Sequence, residues 1–178
     1  MATAVLVIDM INDFVTGKFE NDRAKRIVPA IANLLESARK SEKPVIYVSD
    51  SHPEDDEEFS IWGPHAVAGS KGSEIIPELK PEEKDHTLSK TKYSAFYNTD
   101  LDSLLEKLGV DEVVLAGVLT HICIQHTAAD AFFRGYKVII PRGCVEDLSD
   151  ENNESSLELI EKYYSAKIMD LEELLTSW

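Results

Sequence analysis

The stretch EVVLAGVLTHICIQHTAADAFF, residues 112–133, decides the fold. From Glu112 to Ala116 it is a short apolar run rich in β-branched residues, which reads as a buried strand. Gly117 interrupts it, and from Ile122 to Phe133 the pattern turns helical, with Gly135 placed to stop the helix. A strand running into a helix is half of a βαβ unit, and the chain repeats the alternation in both directions. Upstream, Ala4 to Ile8, Pro44 to Ser49 and Thr87 to Ser89 read as strands; downstream, Lys137 to Ile140 and Ala166 to Met169 do. Between them, Ile27, Ile31, Leu34 and Leu35 share one face of a helix from Arg23 to Arg39. Leu101, Leu104, Leu105 and Leu108 share another before Gly109, with Asn98 or Thr99 as its cap, and a further helix spans Asn153 to Tyr164.

These elements predict an α/β protein, a three-layer α/β/α sandwich around a mainly parallel sheet of six strands. Right-handed crossovers favour the strand order 3-2-1-4-5-6. With 178 residues and 43% hydrophobic content there is material for one core, so a single domain over residues 1–178 is expected. The formal charge of -15 argues against a nucleic-acid partner, since such affinity comes chiefly from Lys and Arg. The acidic run Glu54 to Glu58 reads by default as solvated surface. No apolar run approaches the roughly 20 residues of a membrane-spanning helix, and the N-terminus lacks the basic region of a signal peptide. No membrane association and a cytoplasmic location are therefore expected. Two cysteines, Cys123 and Cys144, are too few for a disulfide framework, which leaves room for a reactive thiol.

Ligands of open parallel sheets bind beyond the carboxyl ends of the strands. Asp9 follows the first strand, Asp50 and His52 the second, Lys90 the third, and Gly117 to Cys123 the fourth. The predicted strand order brings these onto one rim. Taken singly each has a plain reading: a strand-end Asp is often a cap, a single Lys is usually solvated, and a lone cysteine in an apolar helix is more often a core residue. Cys123, however, falls at a helix N-terminus, where the macrodipole and free amides would lower the thiol pKa and hold an oxyanion. Pro141 to Cys144, ending the fifth strand, reads as turn chemistry. Asp50 and His52, with His65 downstream, form a carboxylate-plus-two-imidazole set suited to zinc, iron or manganese. His65 lies in a segment from Ser51 to Lys84 with four of the seven prolines and no sustained period, and a loop this long is usually functional or disordered.

Three motifs in consistent order carry a resemblance. Asp9 to Phe14 (DMINDF), Lys90 to Phe96 (KTKYSAF) and Leu115 to Cys123 (LAGVLTHIC) followed by His126 to Ala131 (HTAADA) resemble the isochorismatase-like cysteine hydrolases, and among them most nearly the nicotinamidases. The resemblance implies a catalytic triad of Asp9, Lys90 and Cys123 and a divalent metal, zinc first with iron or manganese as alternatives, on Asp50, His52 and His65. It implies a cis peptide joining Val118 to Leu119, with the backbone amides of Leu119 and Cys123 as the oxyanion hole. Phe14 and Trp62 would enclose a pyridine ring, with Tyr97 a weaker candidate for that wall. It also implies a homo-oligomer. Two positions depart from the nicotinamidase pattern: His121, where isochorismatases often have His but lack the cysteine, and Ala66, where many nicotinamidases carry Cys.

The activity implied is hydrolysis of a small-molecule carboxamide with release of ammonia, nicotinamide first. The nearest alternative is an N-carbamoylsarcosine amidase or another amidase of the superfamily. A non-catalytic binding module is the alternative from a different class, and it gives no reason to hold a thiol between an acid and an amine.

Overall fold

The run from Ala4 to Ile8 is apolar at every position because both of its faces are covered. Ala4, Leu6 and Ile8 pack into one core, and Val5 and Val7 into another on the opposite side. This strand, β1 (Thr3–Ile8), lies at the centre of a sheet with β2 (Val45–Asp50), β3 (His86–Lys90), β4 (Glu112–Val118), β5 (Lys137–Arg142), β6 (Val145–Glu146) and β7 (Lys167–Asp170). The computed structural model describes residues 2–178. The order is β3-β2-β1-β4-β5-β7, every pairing is parallel, and β6 adds a short seventh strand beside the end of β4. The expected order holds, with β7 as the sixth strand of the sequence reading.

Helices cover both faces. α2 (Asp22–Lys40) buries Ile27, Ile31, Leu34 and Leu35 against one face, joined by Leu174 of the terminal α7 (Leu171–Thr176). α4 (Leu101–Lys107), α5 (Gln125–Phe133) and α6 (Asp150–Tyr164) cover the other through Leu101, Leu105, Ala128, Ala131, Leu157 and Ile160. Two short helices, α1 (Asn12–Val15) and α3 (Phe59–Trp62), sit in the loops after β1 and β2. Among the described residues no helix is long and apolar enough to cross a membrane.

Two local expectations need correction. Asp100, not Asn98 or Thr99, is the N-cap of α4 and makes no side-chain cap bond. Thr99 serves from one residue further out, its hydroxyl accepting from the Leu101 amide at 3.3 Å and donating to the Ala95 carbonyl at 2.6 Å. The helix expected from Ile122 begins instead as a wide π-helical turn, Thr120–Ile124, before α5. In it the Leu119 carbonyl accepts from both the Ile122 and the Ile124 amides, each at 3.2 Å.

Gly117 makes the junction between sheet and turn possible. It pairs with Ile8 across β1 and β4, its φ is 124°, and a Cβ there would lie 1.9 Å from the Ile8 carbonyl oxygen. No side chain can share that space, because the obstacle is backbone of the central strand. Gly117→Ala is expected to destabilise the protein by about 4 kcal/mol or more, the range reserved for such backbone conflicts, as read from urea unfolding.

Candidate active site

Register brings the charged groups together. Asp50 and Lys90 close β2 and β3 as direct partners, and Asp9 follows β1, which lies next to β2. Asp9 has a positive φ of 56°, a conformation that Asp tolerates better than most residues, and its Oδ1 accepts the Asp50 amide at 2.8 Å. The Lys90 ammonium lies 2.5 Å from Asp50 Oδ1, 2.8 Å from Asp9 Oδ2 and 3.6 Å from Cys123 Sγ. Its approach to Asp9 Oδ2 is off the line of a hydrogen bond, so that contact is ionic and the oxygen keeps a lone pair unspent. The expected trio of Asp9, Lys90 and Cys123 therefore meets at one point, with Asp50 as a fourth member.

Burial dominates the electrostatics. It pushes Asp9 up to about 6, with repulsion from Asp50 adding and Lys90 opposing. Burial alone would lower Lys90, but the Asp50 and Asp9 carboxylates reverse this and hold it well above its ordinary value. The Cys123 thiol is raised by burial and by Asp9 and Asp50, with Lys90 pulling the other way. This runs against the expectation of a lowered thiol pKa: burial, the largest cause, and the two nearby carboxylates raise it despite Lys90.

The second cluster stands beside the first. The chain from Gly63 to Ala68 folds back along His52, whose amide donates to the Ala66 carbonyl at 2.9 Å and whose carbonyl accepts the Ala68 amide at 2.8 Å. Asp13 pins this return, its Oδ2 accepting the Ala66 amide at 2.8 Å. The His52 and His65 rings then lie 4.7 Å apart, and Asp50, His52 and His65 each place a ligand atom within 4.8 Å of the others. His52 Nδ1 is bonded to Asp56 at 2.9 Å and His65 Nδ1 to the Gly63 carbonyl at 2.8 Å. His52 Nε2 is buried, without a hydrogen-bond partner, and 3.6 Å from Asp50 Oδ2. An orphaned imidazole nitrogen facing a carboxylate and a second imidazole fits a divalent cation with nitrogen and oxygen ligands.

Asp56 belongs to the acidic run that reads as solvated surface, and for this residue and Glu58 that reading is overturned. Asp56 and Glu58 side chains are each only 7% exposed and share Lys92, at 3.3 and 3.5 Å. Burial would raise Asp56, but bonds from His52, the Glu58 amide and Lys92 hold it at about 2.

Above both clusters opens a cavity of about 130 Å³. Phe14, Phe19, Trp62 and Tyr93 form its aromatic walls, Val118, Leu119, Ile122 and Leu148 its aliphatic side, and Cys123, Asp50 and His65 its floor. Asn21 and Glu58 are its other polar members. Phe19 and Tyr93 were not foreseen; Tyr93 accepts the Trp62 indole N–H at 3.2 Å, which fixes the wall. Tyr97 does not line the cavity and is 53% exposed, so its expected place on the wall is withdrawn. His121 is also outside the lining. The Val118–Leu119 peptide is cis, and the Leu119 N–H is not spent in the hydrogen bonds of the following turn.

A parallel sheet that gathers a thiol, two carboxylates and an amine at the carboxyl ends of its strands is an arrangement suited to hydrolysis, and the comparisons with known proteins agree. The isochorismatase domain pattern matches residues 3–173, and the chain belongs to the isochorismatase family. Among related proteins, Nicotinamidase 3 of Arabidopsis thaliana is 33% identical over 86% of this chain and 78% of its own. The N-carbamoylsarcosine amidase structure from Thermoplasma acidophilum is 39% identical, with a TM-score of 0.91 over 96% of this chain and 97% of its own. The pyrazinamidase of Pyrococcus horikoshii, solved in complex with zinc, is 29% identical, with a TM-score of 0.88 over 96% of this chain and 99% of its own.

Lys90 compensates two buried carboxylates, which makes its charge structurally necessary. Lys90→Met, close in shape but neutral, is expected to cost about 3–5 kcal/mol at neutral pH. The loss should shrink as the pH is lowered and Asp9 takes up a proton, and urea unfolding at two pH values measures both effects.

Proposed function

We propose that the protein is a cysteine amidohydrolase that releases ammonia from a small, uncharged aromatic carboxamide, nicotinamide being the first candidate. The observation that carries this is the cavity over Cys123: aromatic on several sides and without a Lys or Arg in its lining. N-carbamoylsarcosine carries a carboxylate, and the lining sets Asp50 and Glu58 against it and offers no Lys or Arg to receive it. A flat neutral ring is suited to the walls of Phe14, Phe19 and Trp62. The N-carbamoylsarcosine amidase at 39% identity keeps that activity as the second reading.

In this reading Asp9 Oδ2 takes the thiol proton as Cys123 Sγ forms a bond to the carboxamide carbon. The carbonyl oxygen becomes an oxyanion received by the backbone amides of Leu119 and Cys123, each such donor contributing on the order of 3 kcal/mol in comparable sites. As the oxyanion collapses the carbon–nitrogen bond breaks, and Asp9 passes its proton to the departing nitrogen, leaving ammonia and a thioester. Water then adds to the thioester carbon while Asp9 accepts its proton. Collapse expels the sulfur, which regains that proton, and the carboxylic acid leaves. Throughout, Lys90 orients Asp9 and balances the negative charge that moves between oxygen and sulfur. Asp50, His52 and His65 would hold the divalent ion, zinc first, which when bound supplies a Lewis-acidic position for a substrate nitrogen.

A panel of nicotinamide, pyrazinamide and N-carbamoylsarcosine, assayed for ammonia on zinc-loaded protein, tests the reading. Nicotinamide or pyrazinamide should be preferred, Cys123→Ala should abolish turnover, and kcat/KM should fall as pH drops through about 6, where Asp9 gains a proton and can no longer accept one. Preference for N-carbamoylsarcosine would transfer the assignment to the second reading, and turnover by Cys123→Ala within tenfold of the parent would remove the covalent mechanism. The support that Asp56 lends to His52 is tested separately: Asp56→Asn should weaken zinc binding by about 10–100-fold in competition with a chelating dye.

A further inference from the structure

Behind the cavity a second buried carboxylate is committed to the turn that carries the thiol. Asp147 follows β6 and is fully buried. Its Oδ2 accepts the His121 amide at 2.7 Å, its Oδ1 accepts the Leu148 amide at 2.7 Å, and His121 Nδ1 lies 2.8 and 2.7 Å from the two oxygens. The Asp147 amide donates to Glu146 Oε1 at 3.0 Å, and that carboxylate is held by Arg23 at 2.8 Å and Arg26 at 3.3 Å. Arg23 Nε also donates to the Asp147 carbonyl at 2.9 Å. On the same turn, the Thr120 hydroxyl donates to Asn153 Oδ1 at 2.6 Å.

We propose that Asp147 is a positioning residue for the chemistry at Cys123, and that His121 is the clasp through which it acts. The inference rests on Cys123 being the nucleophile. A buried carboxylate tolerates few placements of its donors, because each unmet hydrogen bond leaves a desolvated oxygen. The His121 amide and ring are thus held together, which sets the path of the chain from Leu119 to Cys123 and with it the amides aimed at the substrate oxygen. The His121 ring bonds Asp147 and the residue does not line the cavity, so its presence does not by itself argue for an isochorismate-like substrate.

The test compares Asp147→Asn, His121→Leu and His121→Asn with the parent, using the amide the panel selects. Asp147→Asn sets an NH2 group against an N–H donor. It should lower kcat by about 100-fold, the scale of a misplacement near 1 Å, with KM changed less than about threefold because the aromatic walls are untouched. His121→Leu should lower kcat in the same way, and His121→Asn, whose amide nitrogen can take the place of Nδ1, should restore most of it. Hydrogen exchange of residues 119–124 should quicken in Asp147→Asn while that of β1 does not. A folded Asp147→Asn with parental kcat overturns the proposal. If that variant does not fold, equal kcat for His121→Leu and the parent overturns it instead. Should the parent release no ammonia from any amide, the amidase reading fails by itself, and unchanged exchange over 119–124 would overturn the placement independently.

Discussion

One buried cation organises this molecule. The Lys90 side chain has no exposure to solvent and lies between the carboxylates of Asp9 and Asp50, one of them fully enclosed and the other nearly so. Removing three charges from water is unfavourable unless each finds its counterpart, and here the counterparts are supplied by backbone register. Parallel pairing sets Asp50 directly against Lys90 and delivers Asp9 one strand away. The order of the sheet and the composition of the site are thus one constraint.

The thiol and the histidines are arranged around that centre. Lys90 lies 3.6 Å from Cys123 Sγ, while burial and the carboxylates raise the thiol pKa. In the proposed mechanism the charge on sulfur need exist only while a carbonyl carbon is there to receive it. Asp50 looks both ways, to Lys90 through Oδ1 and toward His52 through Oδ2. The two imidazoles have their outer nitrogens tied to Asp56 and to the Gly63 carbonyl, which orients both rings toward the group they form with Asp50. Family membership and this geometry agree on a hydrolase; the proposal of a neutral aromatic amide rests on the aromatic walls of the cleft and its lining without Lys or Arg.

What could be read in the chain beforehand followed from short-range physics. Strands buried on both faces are apolar at every position, and this exposed β1, β2, β4 and β5 at once. β3 alternates because one of its faces is open, with Thr87 and Ser89 exposed and Leu88 packed on the core, so it offers no continuous apolar run. β6 has two residues and α7 has six, too short for any period to register. The π-helical turn was invisible because apolar spacing over five residues does not separate it from the α-helix that follows. Asp56 was misread because a run of acidic residues has no internal sign of which member turns inward. Tyr97 follows the KTKYSAF motif, but the chain turns it outward.

By itself the sequence determined the strand-and-helix alternation, the order of the sheet, and which residues stand at or just beyond the strand ends: Asp9, Asp50 and Lys90, with Cys123 in the turn that follows β4. Those depend on local periodicity and on the handedness of crossovers, both carried by neighbouring residues. Tertiary structure alone decided the direction in which the thiol pKa moves, the recruitment of Asp56 behind His52, and the bond between Asp147 and His121, partners 26 residues apart. Each of these is set by burial and by charges brought from distant parts of the chain. A pattern along the chain shows which groups are present, but the desolvation and field at a group depend on what surrounds it in space.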